Sequence, residues 1–304
     1  MALSVEFDHS IGLSLVPGGL CFHPDGEDYL FCAGGNVIVA KLTDPHEQHF
    51  LRRHDDYITT LALSPLGNLI ASGQRGHNSN VYVWNFATKD VIFSLEEHDS
   101  SIKDVAFSHD ERILATLGDS EDKKMIFWDL SNGYIIAAKN VMPNGSCCVS
   151  FGGFQKDVKR RDTTNYLVCT GGAEGLVLWY LDPYSGQLEM DALTSDAHGS
   201  LSRSITTISF YKDNEFVCAG STSGDFIIVS VRAKRVVKVV QVGKLCVNAI
   251  LSYEYGIIVG GGEGAIKCYD NEQLLQGQVY LDGAVIALSF SPDKLEVRIF
   301  CLPG

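Results

Sequence analysis

The sequence predicts an all-β fold, a ring of seven four-stranded blades, and three observations carry that prediction. The first is a recurring unit that starts at Pro17, Ile58, Ile102, Ser146, Ile205, Cys246 and Val285, in steps of 41, 44, 44, 59, 41 and 39 residues. A near-constant period with one long step is a repeat architecture carrying one insertion. The second is register. Fourth positions of the units are Leu20, Leu61, Val105, Val149, Ile208, Ala249 and Leu288, and sixth positions are Phe22, Leu63, Phe107, Phe151, Phe210, Leu251 and Phe290. Apolar residues two apart have the period of a strand with a buried face. The third is that each full unit has room for four such strands separated by Gly-rich turns, which is the arithmetic of a propeller blade.

The elements follow in order. The register pattern is the first strand of each unit. The second reads "LIASG", "ILATLG", "YLVCTGG", "FVCAGS" and "IIVGGG", and the third "VYVWNF", "MIFWDL", "LVLWYL", "FIIVSV" and "AIKCYD". Segments between units ("DVIFSL", "YIIAAK", "RVVKVVQV", "GQVYL") supply the fourth. The seventh unit opens well with "AVIALSFSPD", but only "KLEVRIFCLPG" follows Asp293, enough for a second strand and not a third. The expectation is therefore a single propeller over residues 1–304 whose last blade is incomplete within this sequence, with Leu3 to Phe7 available as a closing strand.

Composition narrows the function classes. A net charge of −13 argues against a general binder of phosphate backbones, so no nucleic-acid partner is expected. No run of about eighteen apolar residues occurs, so no membrane helix is expected, and "MALSVEFDHS" lacks the cationic and apolar regions of a secretory signal. Nine cysteines without a C-x-x-C pair read as reduced thiols, mostly in strands, rather than a disulfide framework or metal site. The Asn144-Gly145-Ser146 sequon then has no route to modification. Two basic stretches stand against the acidic background. "QKDVKRRDTTN" puts Lys156, Lys159, Arg160 and Arg161 into the long fourth step, as a projecting loop that either meets an acidic partner surface or is a solvated surface insertion. "VRAKRVVK", Val231 to Lys238, reads as an outer strand protected by charge against edge pairing.

Catalytic patterns are absent. "GGGEGA" (Gly260 to Ala265) falls between two strands rather than before a helix, so the amide cradle a phosphate requires is missing. There is no H-E-x-x-H and no G-x-S-x-G. Neither enzymatic activity nor a cofactor is expected.

The sequence resembles the WD-repeat family, whose blades carry a Gly-His near the start, Ser or Thr in the second strand, Asp in the next turn and Trp-Asp closing the third strand. The third unit has His98, Thr116, Asp122, Trp128 and Asp129 at those places. The resemblance implies that the first four form a buried hydrogen-bonded tetrad, so that "WDL" is a structural clasp. The second unit keeps His54, Ser72 and Trp84, with Asn78 in the Asp place, giving a partial tetrad. The fourth retains Trp179 without the His, and the fifth has His198 upstream but Val229 at the Trp position. Longer phrases ("VPGGLCFHPDGEDYLFCAGGNVIVAKL", "HFLRRHDDYITTLALSPLGNLIASGQ", "GGAEGLVLWYLD", "GIIVGGGEGAIKCYD") are similar, from Val16 to Asp293, to the N-terminal half of the cilia- and flagella-associated protein 52 family. The echinoderm-like microtubule-associated protein family shares much of this phrasing. The first resemblance implies a non-enzymatic component of the cilium or flagellum axoneme that binds doublet tubulin and neighbouring axonemal proteins from the microtubule lumen. The alternative is a cytosolic adaptor presenting a peptide-binding face, and the blade entrances "RRHDDY" and "EEHDSS" do not choose between them.

Overall fold

The computed structural model describes residues 9–10, 12–14, 16, 19–141, 146–173, 175–193, 203–290 and 297–301. Within them the chain is all strand, with no helix, and the strands form seven antiparallel sheets. Six have four strands each, hydrogen-bonded in sequence order: blade 1 (20–52), blade 2 (58–95), blade 3 (102–140), blade 4 (146–193), blade 5 (205–241) and blade 6 (247–280). Blade 7 has two, Val285–Phe290 paired with Val297–Cys301. The second strand expected after Asp293 is thus present, and no third strand lies among the described residues. Leu3 to Phe7 and His198 fall outside those residues.

The first strand of each blade packs against the first strand of the next, and Val285–Phe290 of blade 7 packs against Leu20–Phe22 of blade 1, so the inner strands close a ring. Apolar surface is shared between neighbours. In the second strand of blade 4, Tyr166 and Val168 face blade 3, where they join Leu117 and Phe127 in one cluster. Leu167 and Cys169 point the other way, to Val217 and Ile227 of blade 5. Alternate side chains leave opposite faces of a strand, so a middle strand packed on both sides must be apolar throughout. This accounts for the unbroken apolar runs "YLVC" and "LVLWYL".

Among the described residues, the inserted stretch of the fourth unit lengthens a hairpin. The first two strands of blade 4, Ser146–Lys156 and Asp162–Gly172, each run 11 residues and are paired out to Lys156 and Asp162 across three register shifts. None of the nine cysteines forms a disulfide, and Cys32, Cys148, Cys169 and Cys218 are buried. Burial pushes the Cys218 thiol up to about 12 and that of Cys21 to about 11, which makes both poor nucleophiles at neutral pH.

Candidate functional site

The blade 3 residues meet. Asp119 starts the turn between the second and third strands by accepting hydrogen bonds from the backbone N–H groups of Glu121 (2.9 Å) and Asp122 (3.1 Å). That turn swings the Asp122 carboxylate back over Gly118, where a Cβ would collide with it, so the clasp requires glycine there. Asp122 Oδ2 lies 2.5 Å from His98 Nδ1, His98 Nε2 lies 2.7 Å from Thr116 Oγ1, and Trp128 Nε1 donates to the same oxygen at 2.9 Å. An indole N–H can only donate and a carboxylate can only accept. The end bonds are therefore fixed, Trp128 to Thr116 and His98 to Asp122, and with His98 Nε2 unprotonated the Thr116 hydroxyl donates to it and the whole chain points one way. Burial opposes the charge on Asp122, but the His98 ring and the Asp99 N–H (2.9 Å) outweigh it and hold the carboxyl below its ordinary range.

In blade 2 the structure corrects the sequence reading. His54 Nε2 lies 2.7 Å from Ser72 Oγ, which also accepts from Trp84 Nε1 at 3.0 Å, but His54 Nδ1 is met by Gln74 Oε1 at 2.8 Å, not by Asn78. Gln74 then donates to Asp55, so a carboxylate still terminates the chain, one residue further on. Asn78 takes a left-handed turn conformation (φ 49°), and its backbone N–H donates to Asp99 O in the entry loop of blade 3. The pattern misled because Gln74, at the end of the second strand, has a side chain long enough to reach the ring before the turn does. Without a carboxylate directly on the imidazole, burial lowers the His54 pKa to about 4.

The later blades reduce or replace the clasp. Blade 4 keeps only Trp179 Nε1 donating to Thr170 Oγ1 at 2.8 Å. Blade 5, with Val229 at the Trp position, has Arg203 on Asp225 at 2.8 Å, and Ser221 donates to the same carboxylate. No motif search marks Arg203 or Ser221, because their positions belong to no repeat consensus. Asp104 was also missed, being a lone acid in "IKDVAF". Its carboxylate accepts from Val105 N (2.9 Å), Val149 N (2.8 Å) and Thr60 Oγ1 (3.3 Å), tying together the inner strands of blades 2, 3 and 4, and burial raises its pKa to about 6.

Three of the four basic residues of the fourth unit form ion pairs within the chain. Lys156 pairs with Asp213, Arg160 with Glu215 at 3.2 Å, and Arg161 with Asp157 at 2.7 Å; only Lys159 lacks an ion pair among the described residues. Two of these pairs cross from the blade 4 hairpin to blade 5, and Lys234–Asp191 (2.5 Å) makes a third crossing. They span a cleft of about 560 Å³ between the two blades. No group of three or more His, Cys, Asp or Glu side chains suited to a metal lies among the described residues. Gly264, in the stretch considered for phosphate, sits in a strand-to-strand turn with φ 78°.

A ring of such sheets is a β-propeller, and the Trp-to-acid hydrogen-bonded chains of blades 2 and 3 mark WD repeats within it. Residues 46–85 and 89–129 match the family model described as WD domain, G-beta repeat. Each match opens on the outer strand of one blade and closes on the third strand of the next. The chain is homologous to cilia- and flagella-associated protein 52, being 27% identical over 288 residues to that of Chlamydomonas reinhardtii, which covers 91% of this chain and 44% of the relative. With the Homo sapiens protein it is 27% identical over 86% of this chain and 42% of the relative, so the chain spans less than half the length of these relatives. WD repeat-containing protein 90 of Mus musculus is 23% identical over 69% of this chain. The solved structure of U3-55K superposes with a TM-score of 0.75 at 14% identity, covering 96% of this chain and 90% of that one, a likeness of fold.

Proposed function

We propose that this protein is a non-enzymatic structural component of motile cilia or flagella, held on the luminal wall of axonemal doublet microtubules through tubulin and neighbouring axonemal proteins. The observation that carries this reading is similarity running through about nine tenths of the chain to proteins named for cilia and flagella, from alga to human. The structure is consistent with a load-bearing rather than a catalytic role: the buried polar groups of blades 2 and 3 satisfy one another in chains that end on a carboxylate, and neighbouring blades share apolar clusters. Tubulin is acidic and this chain carries a net charge of −13, so long-range attraction is unfavourable. The internal pairing of Lys156, Arg160 and Arg161 leaves little local positive charge to offset that. Contact would then rest on shape and apolar fit, and enclosure inside the doublet would hold the protein in place.

The test is to tag the protein in its source organism, image it, and wash isolated axonemes in high salt. Salt screens exposed charge contacts and spares enclosed ones. The protein is expected to stay with the washed doublets. A diffuse cytosolic signal, or complete release by salt, would overturn the reading in favour of a cytosolic adaptor.

A further inference from the structure

A propeller exposes backbone at its outer strands. Each fourth strand bonds to a neighbour on one side only, so the N–H and C=O groups of its other edge are open to pairing. Four of these strands carry charge of a single sign: Arg52 in blade 1, Lys139 in blade 3, Glu189 and Asp191 in blade 4, and Arg235 and Lys238 in blade 5. The uncharged strand of blade 2, Val91–Leu95, is exposed only at Ile92 and Ser94. The outer strand of blade 6, Leu275–Tyr280, differs from all of these. It reads "LQGQVY", has no charge and is exposed at every position, Val279 and Tyr280 by 57% and 60%. The ladder fixes which of its backbone groups are free. Leu281 N donates to Gly264 O at 3.0 Å, and the register runs Ala265↔Tyr280, Ile266↔Val279, Lys267↔Gln278 and Cys268↔Gly277 before it shifts. Residues of an antiparallel strand alternate between bonding to the neighbour and turning away from it. Val279 and Gly277 therefore bond inward like Leu281, and Gln278 and Tyr280 turn their N–H and C=O groups outward.

We propose that this edge pairs with the same edge of a second copy of the chain, antiparallel across a two-fold axis at Val279. In that register Gln278 of one copy lies opposite Tyr280 of the other, and the outward groups of the two residues exchange backbone hydrogen bonds on both sides of the axis. Val279 meets its own counterpart in the closely spaced, non-hydrogen-bonded position, an apolar pair. Leu281 comes opposite Gly277, where nothing lies within 4 Å of the place a Cβ would occupy, so the larger side chain has room. Charge selects a second copy as the occupant. Two chains of net charge −13 repel, and they can meet only through a patch free of like charge. From Gln273 to Leu281 there is no Asp, Glu, Lys or Arg. The same two-fold operation on the outer strands of blades 1, 3, 4 and 5 would set their single-signed charges against themselves, which is destabilising. A contact one strand wide is smaller than a standard interface, so the dimer is weak and concentration-dependent. This inference does not depend on the axonemal reading, and it applies equally if that reading fails.

The test is sedimentation of the full 304-residue chain from about 1 µM to about 100 µM, with amide hydrogen exchange at both ends of that range. Dimer is expected at the upper end, with the Gln278 and Tyr280 amides gaining protection only there. Raising salt from about 50 mM to about 500 mM should strengthen it, because screening weakens the repulsion between like-charged copies. Val279→Lys sets two ammonium groups against each other at the axis and is expected to weaken the dimer at least about tenfold with an unchanged melting temperature. Gln278→Pro is the second variant: it removes an outward N–H that the blade's own ladder does not use, and it should have the same effect. Ile135→Lys, on the outer strand of blade 3, should leave the dimer intact. A monomer at every concentration, a dimer that survives both blade 6 variants, or protection gained at another strand would overturn the proposal. So would a dimer that salt weakens, since ion pairs would then hold it.

Discussion

At the residue scale, the WD clasp works through the direction of its hydrogen bonds more than through their number. Thr116 is the hinge of the blade 3 chain, since one hydroxyl serves the donor Trp128 Nε1 and the acceptor His98 Nε2. Thr170 in blade 4 has the same place with Trp179 alone. Thr116→Val keeps the shape and removes the hydroxyl, stranding two buried polar groups at about 1–3 kcal/mol each, whereas Thr170→Val strands one. Denaturant unfolding should therefore show Thr116→Val about twice as destabilising, roughly 3 kcal/mol against roughly 1.5. Equal losses would mean that His98 finds another partner. The blade 2 variant makes the same point about chemistry. Gln74 substitutes for an acid because an amide accepts on one side and donates on the other, which preserves the direction of the chain on its way to Asp55.

At the element scale, two buried groups on or beside the inner strands oppose each other with pH. His54, before the inner strand of blade 2, titrates near 4 in the folded state, below its ordinary value of 6.5, so its contribution is present above 6.5 and lost as the pH falls towards 4. Asp104, on the inner strand of blade 3, titrates near 6 rather than 3.8. Its contribution is complete below 3.8 and lost as the pH rises through 6, so it recovers over much of the interval in which that of His54 is lost. The protein should therefore lose little stability between pH 6.5 and 4.5. Asp104→Asn removes one side of the balance, and its unfolding free energy should drop by about 2 kcal/mol more than the parent's over that interval. Parallel pH curves for the two proteins would show that Asp104 stays ionised in the fold, where its three hydrogen-bond donors outweigh burial. The blade 4 hairpin shows a related contrast: its charges mattered for which strands they fasten together, and their sum said nothing of that.

At the scale of the whole molecule, the ring is uneven. Neighbouring blades from 1 through 7 share joint apolar clusters. Between blades 7 and 1, no cluster among the described residues draws on both, although their inner strands touch. Beside blade 7, which has two strands among the described residues, the outer strand of blade 6, Leu275–Tyr280, is exposed at every position. Few shared apolar contacts mean low local stability. Native-state hydrogen exchange should show the Val285–Phe290 amides opening at markedly lower free energy than those of Ile102–Phe107 in blade 3. Uniform protection around the ring would show that the seam is as strong as the other boundaries.

The sequence by itself determined the repeat, the strands and their buried faces, because period, alternation and turn glycines are local properties that each unit states for itself. It also held the blade 3 clasp, whose four residue types stand at consensus spacing. What the tertiary structure decided is who meets whom. Gln74 displaced Asn78 through reach, Asp104 became a three-blade tie, and Lys156, Arg160 and Lys234 found Asp213, Glu215 and Asp191 across a boundary. None of these pairings follows from spacing along the chain. The Asp104 tie and the ion pairs depend on the separation of side chains from different blades, which only the closed ring sets, while Gln74 depends on reach within blade 2; a charge in a sequence carries its sign but not the position of its partner.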